Sequence, residues 1–520
     1  MSRHIAIYDT TLRDGTQGEQ VNLSAEDKLR IAHKLDEFGM KYVEGGWPDS
    51  NPKDARFFEM ARKTVFQNAN IVAFGSTRLA GTRTENAPNL AALLSTETET
   101  VAIFGKSWDF QVSEILEVSL EENRSMIYES IAYLKRADRE VIYDAEHFFD
   151  GYRHNPEYAL KTLDAAQEGG ADMIVLCDTN GGSMPGDILR AFQDVTAHCT
   201  VPLGIHAHND CGLALANSLV AVEAGASIVQ GTINGYGERC GNVDLISLIG
   251  NLQLKMEYRC VPPQKLQQLT ELSRFVSGVA NVPPFNQRPF VGRSAFAHKA
   301  GVHVSAIQKS PVAYEHIDPK QVGNRRRVLV SDLSGKSNIE YKSRELGIKL
   351  DQNGEESRKI VSKIKKMEDQ GYQFDSAEGS LELLIKKITG QFKEPFVLES
   401  LRVTIEKNRS TPSTSHATIK ISVGQEEEIT AAEGVGPVNA LDNALRKALT
   451  KFFPEIKEMG LVDFKVRVID GSDATAAKVR VQIESRDTGE IWSTIGVSEN
   501  IIEASWQALV DSVQYRLSKS

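Results

Sequence analysis

Within its first ~260 residues the chain repeats one short phrase eight times: an apolar, β-branched run followed by a segment of helical period. The runs are Ile5–Tyr8, Tyr42–Glu44, Ile71–Phe74, Val101–Phe104, Val141–Tyr143, Met173–Cys177, Leu203–His206 and Ile228–Thr232. Successive runs lie about 25–40 residues apart, which leaves room for one helix in every gap. The first gap shows how such a helix is read. Ser24 is an N-cap with Asp27 three residues on, Ile31, Leu35 and Phe38 share one face, and Gly39 stops the helix. Eight β-then-α units match the arithmetic of a (β/α)₈ TIM barrel, whereas an open doubly wound sheet usually has fewer strands.

Beyond about residue 270 the rhythm changes. Residues 271–385 read as helical and charged, broken at Pro283–Pro284 and over 311–323, and form a linker region. Over 386–520 alternating strands at Leu401–Glu406, Thr418–Val423 and around Glu428 lead into a helix near Val438–Phe452. The pattern recurs at Phe464–Ile469, Val479–Glu484 and Ile491–Val497, followed by a helix over Ile501–Leu517. Gly434-Val435 and Gly496-Val497 precede the two helices, so the segment reads as a duplicated βββα unit, a third domain able to bind a ligand between its halves. The expected fold class is therefore α/β: a barrel over 1–270, a helical linker, and a C-terminal α+β domain.

Among 520 residues, 41% are hydrophobic and 25% charged, ordinary for a globular chain with a large core. The formal net charge of -10 argues against a nucleic-acid partner, because phosphate contacts need clustered Lys and Arg. Five cysteines form no CxxC pair, which suits a reducing compartment better than a disulfide framework or a thiolate zinc site. The N-terminus has no apolar signal core, and the apolar stretch Leu213 to Gly231 is broken by Asn217, Glu223 and glycines. It reads as a buried helix and strand, not a membrane span, so a cytoplasmic protein is expected.

In such barrels the chemistry sits at the C-terminal ends of the strands. The first run is followed by Asp9-Thr10-Thr11-Leu12-Arg13-Asp14-Gly15, the fifth by Asp144-Ala145-Glu146-His147, and the sixth by Asp178-Thr179-Asn180-Gly181. The seventh ends in His206-Ala207-His208-Asn209-Asp210, and the eighth leads to Asn234-Gly235-Tyr236-Gly237-Glu238-Arg239-Cys240-Gly241-Asn242. Polar groups crowd one rim where chance would scatter them. A single buried histidine is most often a core residue. His206 and His208, two apart on a strand, point to the same face and can reach one point above the barrel mouth. Asp14 offers a carboxylate and Asn242 a carbonyl oxygen. This mixed N/O set suits Mn²⁺, Mg²⁺, Co²⁺ or Zn²⁺ in an open site, not a closed structural zinc.

The motifs Asp9-Thr10-Thr11-Leu12-Arg13-Asp14-Gly15-Thr16-Gln17, His206-x-His208-Asn209-Asp210 and Gly235-x-Gly237-Glu238-Arg239-x-Gly241-Asn242 resemble the signatures of the 2-isopropylmalate, homocitrate and citramalate synthase family. The resemblance covers essentially the whole chain, because the duplicated C-terminal unit is similar to the family's regulatory domain. It implies condensation of acetyl-CoA, as co-substrate, with a 2-oxo acid. It further implies that Asp14, His206 and His208 hold a divalent metal, with Asn242 at or beside its coordination sphere. Arg13 would face the acceptor's carbonyl, Thr179 its carboxylate, and Glu146 would line the same pocket. His298-Lys299-Ala300-Gly301-Val302-His303 resembles the family's His-x-x-G-x-H segment, whose second histidine, here His303, assists in activating acetyl-CoA. Tyr314 follows, and by the same resemblance this segment reaches a partner subunit, which implies a homodimer. After His303 the chain carries Val-Ser where relatives often have Gln-Asp or Ala-Asp. Which of His303 and Glu146 takes the methyl proton stays open.

The loop Gly45-Gly46-Trp47-Pro48-Asp49-Ser50-Asn51-Pro52-Lys53-Asp54 resembles that of the citramalate-forming branch, where isopropylmalate-forming members more often show Gly-Phe-Pro. A bulky Trp47 favours pyruvate over the branched 2-oxoisovalerate, by a few kcal/mol at most. The resemblance then implies an amino-acid effector, isoleucine for the first branch and leucine for the second. Glu44 either lines the pocket or braces Arg13. Gly335-Lys336-Ser337 resembles a phosphate loop but lacks the earlier glycine, position 330 being Val, and reads as a turn. Arg325-Arg326-Arg327 could meet coenzyme A phosphates, although a salt-bridged run is the ordinary reading. Two other classes compete. Barrel lyases such as hydroxymethylglutaryl-CoA lyase usually lack the duplicated C-terminal unit, and an amino-acid sensor on a retired barrel would not be expected to keep Arg13, Asp14, His206 and His208 intact.

Overall fold

A computed structural model describes residues 3–407, 409, 412–469 and 477–519. Eight parallel strands close into a barrel in sequence order: β1 (Ala6–Asp9), β2 (Tyr42–Gly46), β3 (Asn70–Ser76), β4 (Thr100–Lys106), β5 (Glu140–Glu146), β6 (Met173–Asp178), β7 (Leu203–Ala207) and β8 (Ile228–Gly231). Closure is made by β1 pairing with β8, Ala6 opposite Ile228 and Asp9 opposite Gly231. Both faces of each strand are covered, which is why the sequence shows apolar runs and not alternation.

The helix Ala25–Phe38 follows the local rules. The Ser24 hydroxyl accepts from the Asp27 amide at 3.1 Å, Asp27 accepts from the Ser24 amide at 3.2 Å, and Gly39 ends the helix at φ 95°. Ile31, Leu35 and Phe38 are buried against the strands. Alternate strand residues point inward. Tyr8, Tyr42, Val72, Phe74, Ala102, Ile142, Val175, Cys177 and Ile228 fill the barrel's interior as one apolar cluster. The same inward parity carried towards the strand ends reaches Glu44, Phe104, Asp144, Glu146, His206 and Gln230. The site is thus the upper storey of the barrel core.

Residues 1–296 and 317–325 make one compact unit, and 297–316 with 326–520 a second. In the second, β9 (Ala297–His298) pairs with β10 (Arg327–Val328) beside the helices Gly301–Lys309, Lys336–Glu345, Glu355–Asp369 and Glu378–Ile388. The antiparallel sheet β11 (Val397–Glu406), β12 (Thr414–Val423), β13 (Glu426–Gly434) leads into the helix Pro437–Leu449. The sheet β14 (Gly460–Val468), β15 (Val479–Arg486), β16 (Ile491–Ser498) leads into Ile501–Leu517. The βββα duplication extends to chemistry: the buried Thr430 hydroxyl donates to Ala444 O at 2.8 Å, and Thr494 donates to Ala508 O at 2.7 Å. Among the described residues, no helix is long and apolar enough to cross a membrane.

Candidate active site

At the C-terminal mouth of the barrel three ligand-type side chains converge. His206 Nε2 lies 3.5 Å from Asp14 Oδ2, His208 Nε2 lies 3.9 Å from the same oxygen, and the two Nε2 atoms are 3.3 Å apart. All three residues are buried, and their donor atoms lie within 4.8 Å of one another. Asn242 joins them by donating from Nδ2 to Asp14 Oδ1 at 3.0 Å, while its Oδ1 is buried with no hydrogen-bond partner among the described residues. The loop carrying Asn242 owes its path to glycine. Gly237 and Gly241 have φ of 145° and 81°, and a Cβ on the first would overlap Asn242 Nδ2, on the second Gly235 O.

The donor set fits a divalent ion. Burial acts to raise the Asp14 carboxyl, but Arg13, His206 and His208 outweigh it and hold it below the ordinary carboxylate range. Burial, then His206 beside it, pushes the His208 imidazole down to about 4, so at neutral pH it is an uncharged donor. His206 Nδ1–H donates to Gln230 Oε1 at 2.8 Å, and Gln230 Nε2 donates to Asp144 Oδ1 at 2.8 Å. That chain leaves the His206 lone pair on Nε2, facing Asp14. Two imidazoles, one carboxylate and an unpartnered amide oxygen, without a thiolate, suit an open N/O site.

A cavity of about 190 Å³ opens beside this cluster, with Arg13, Thr179, Glu146 and Trp47 in its lining. Arg13 is fixed on three sides. Its Nε donates to Glu44 Oε2 at 2.9 Å, its Nη1 to Asp14 Oδ2 at 3.2 Å, and its guanidinium lies 3.8 Å over the Phe74 ring. Glu44 is absent from the cavity lining: fully buried, it braces Arg13 while accepting from the Tyr8 hydroxyl at 2.9 Å and from the Thr10 hydroxyl. Of the two roles open to it in the sequence, the structure places it in the second, because a buried carboxylate needs its cation and donors close. The Thr179 hydroxyl accepts from the His147 amide at 2.8 Å, which leaves its own proton free to donate into the cavity. Glu146 pairs with Lys106 at 2.5 Å. Trp47 stands edge-on to Phe74 and Phe104, with centroids 5.7 and 5.6 Å apart.

His303 and Tyr314 belong to the second compact unit, where their rings stack at 4.2 Å. Two of the three arginines in the run are salt-bridged: Arg326 pairs with the buried Glu315, and Arg327 with Glu378 at 2.6 Å. Sequence alone assigns no role to Gln230, Asp144, Lys106 or Phe104. Gln230 had one legible signal, as the polar residue at inward parity in the otherwise apolar Ile228–Gly231.

Burial, then the Glu44 charge, pushes the Asp144 carboxyl up to about 8. A carboxyl raised in the fold stabilises it fully below the unfolded value near 4. That contribution is lost as pH rises towards the folded value, at about 1.4 kcal/mol per pH unit. Asp144→Asn keeps an oxygen for Gln230 and cannot ionise. In chelator-treated protein its melting temperature should therefore gain on the wild type by several degrees between about pH 6 and 8. A gap constant with pH would mean that the carboxyl is already ionised in the fold.

Residues 4–276 match the HMGL-like family, 290–372 the homocitrate synthase post-HMGL domain-like family, and 375–517 the LeuA allosteric (dimerisation) domain. The (R)-citramalate synthase of Geobacter sulfurreducens is 55% identical over 517 residues, spanning 99% of this chain and 98% of its own. That of Aquifex aeolicus is 54% identical over 522 residues, spanning 100% and 99%. A probable 2-isopropylmalate synthase of Methanopyrus kandleri is 33% identical over 516 residues, spanning 99% and 98%. Likeness over whole lengths, on a barrel of this kind, makes the chain an acyltransferase-type condensing enzyme. It belongs to the HMGL-like family, as a citramalate synthase-like member of the 2-isopropylmalate, homocitrate and citramalate synthases.

Proposed function

We propose that the chain condenses acetyl-CoA with pyruvate to give (R)-citramalate and coenzyme A, on the route to isoleucine. The observation that carries the acceptor choice is Trp47, seated against Phe74 and Phe104 in the wall of the cavity that holds Arg13 and Thr179. A rigid aromatic wall accommodates a methyl group more readily than a branched chain. The curated relatives named for citramalate, at 54–55% identity, support the same reading.

Asp14, His206, His208 and Asn242 would hold the divalent ion. Bound there, it supplies Lewis-acid polarisation of the 2-oxo acid's carbonyl. Arg13, already fixed by Glu44, places positive charge where the new alkoxide develops and needs no reorganisation to do so. The free Thr179 hydroxyl proton binds the acceptor's carboxylate. The acetyl methyl is a weak carbon acid, and its proton passes to His303 or to Glu146. Attack of the resulting carbanion on the carbonyl carbon forms a citramalyl thioester, and water then releases coenzyme A. His303 and Tyr314 act from a second copy of the chain, in a cytoplasmic homodimer. The division is into a catalytic part over 1–270, a linker over 271–385 and a regulatory part over 386–520, the last binding isoleucine as feedback effector.

A thiol-release assay with acetyl-CoA and pyruvate, 2-oxoisovalerate or 2-oxoglutarate tests this. Pyruvate should be preferred over 2-oxoisovalerate by about tenfold or more in kcat/KM. Preference for 2-oxoisovalerate would overturn the acceptor and leave the family standing.

A further inference from the structure

A buried ion pair that touches neither the cavity nor the metal-ligand cluster lies one step behind Trp47. Lys28 and Asp54 are 2% and 5% exposed, although each sits in a helix where a charge would ordinarily face water. Lys28 Nζ donates to Asp54 Oδ1 and to Gly45 O, the latter at 3.2 Å. The other Asp54 oxygen, Oδ2, accepts the backbone N–H of Trp47 at 2.8 Å. Asp54 is itself placed by the helix start, where Asn51 Oδ1 accepts from the Asp54 amide at 2.9 Å. The pair thus joins the end of β2 to the helix before it and the helix after it.

The packing around this joint leaves the loop no slack. Gly46 has φ 150°, and a Cβ there would overlap Asp54 Oδ2, while one on Gly45 would overlap the Phe57 ring. Beyond the joint Asp49 and Ser50 are exposed, and Trp47 O accepts from the Ser50 amide at 3.0 Å. Trp47 is therefore a partly exposed loop residue whose two backbone groups are both tied down, the N–H by a charge-assisted bond from inside the protein. Loops move more than the elements they join, and an aromatic wall discriminates only while it stays in place.

We propose that the Lys28–Asp54 pair is a positioning device for acceptor selectivity, holding the Trp47 indole against Phe74 and Phe104. This rests on the reading of Trp47 as the wall of the acceptor pocket. Replacing a buried pair by apolar residues of similar volume generally preserves stability, whereas removing one partner leaves a buried unpaired charge. Lys28→Met/Asp54→Leu therefore removes the tether without leaving an unpaired charge, and Asp54→Asn, which keeps one acceptor oxygen but leaves Lys28 without its anion, is the second variant.

Purified full-length variants are assayed for thiol release with pyruvate and with 2-oxoisovalerate, beside Trp47→Ala, with divalent-metal affinity and melting temperature measured on each. The double variant should lower the pyruvate-to-2-oxoisovalerate ratio of kcat/KM about tenfold, mainly through KM for pyruvate, with metal affinity unchanged. Asp54→Asn should move the ratio the same way by a few-fold. A general loss of structure would lower turnover with both acceptors and weaken metal binding, without moving the ratio. If Trp47→Ala shifts the ratio and both pair variants leave it unchanged, the positioning role is overturned. If Trp47→Ala leaves it unchanged as well, the reading of Trp47 falls, and this proposal with it.

Discussion

Asp14→Ala should abolish coenzyme A release, by about a thousandfold or more, while leaving the barrel folded. The reason is its place in the cluster. Among the described residues it is the carboxylate whose oxygen clusters within 4.8 Å of both histidine donor atoms, and Arg13 is the main influence lowering its pKa against the effect of burial. Loss of Lewis-acid assistance costs several kcal/mol of transition-state stabilisation, and each 1.4 kcal/mol is about tenfold in rate. The structural cost is smaller, because among the described residues the hydrogen bonds lost are one from Asn242 Nδ2, which keeps Tyr236 O at 3.2 Å, and one from Arg13, about 1–3 kcal/mol. Metal content measured by mass spectrometry should fall with activity, and exhaustive chelation of the wild type should do the same. Turnover within tenfold of wild type would remove the metal from the mechanism.

Gln230→Leu should raise the dissociation constant for a divalent metal about 10–100-fold, the range in which partners of ligating histidines act. Leucine keeps the volume and removes both ends of the relay. His206 Nδ1–H then has no acceptor, so the imidazole is free to turn or to change tautomer, and Asp144 loses its amide donor. Gln230→Glu retains an acceptor at His206 and should bring the affinity back to within a few-fold of wild type. Calorimetric titration with Mn²⁺ distinguishes the cases without reference to turnover. Equal affinity for wild type and Gln230→Leu would mean that packing alone orients His206.

The barrel was legible because its physics is local and repeated. Strands covered on both faces must be apolar throughout, and the helices between them carry their own caps, as Ser24 and Gly39 show. The duplicated βββα unit was legible for the same reason. His206 and His208 could be paired from spacing, since two residues apart on a strand face one way.

Other features were decided only by tertiary structure. Gln230 in one strand and Asp144 in another are ordinary residues until register sets Gln230 opposite His206. Glu44 was open between two roles, and the approach of Arg13, Tyr8 and Thr10 settled it. Lys28 and Asp54 are charged residues that no local pattern sets apart, yet both are buried. Periodicity along the chain tells which face of an element is apolar. Whether a polar side chain is buried, and against which partner, depends on elements brought together by closure of the barrel, and no local pattern encodes that.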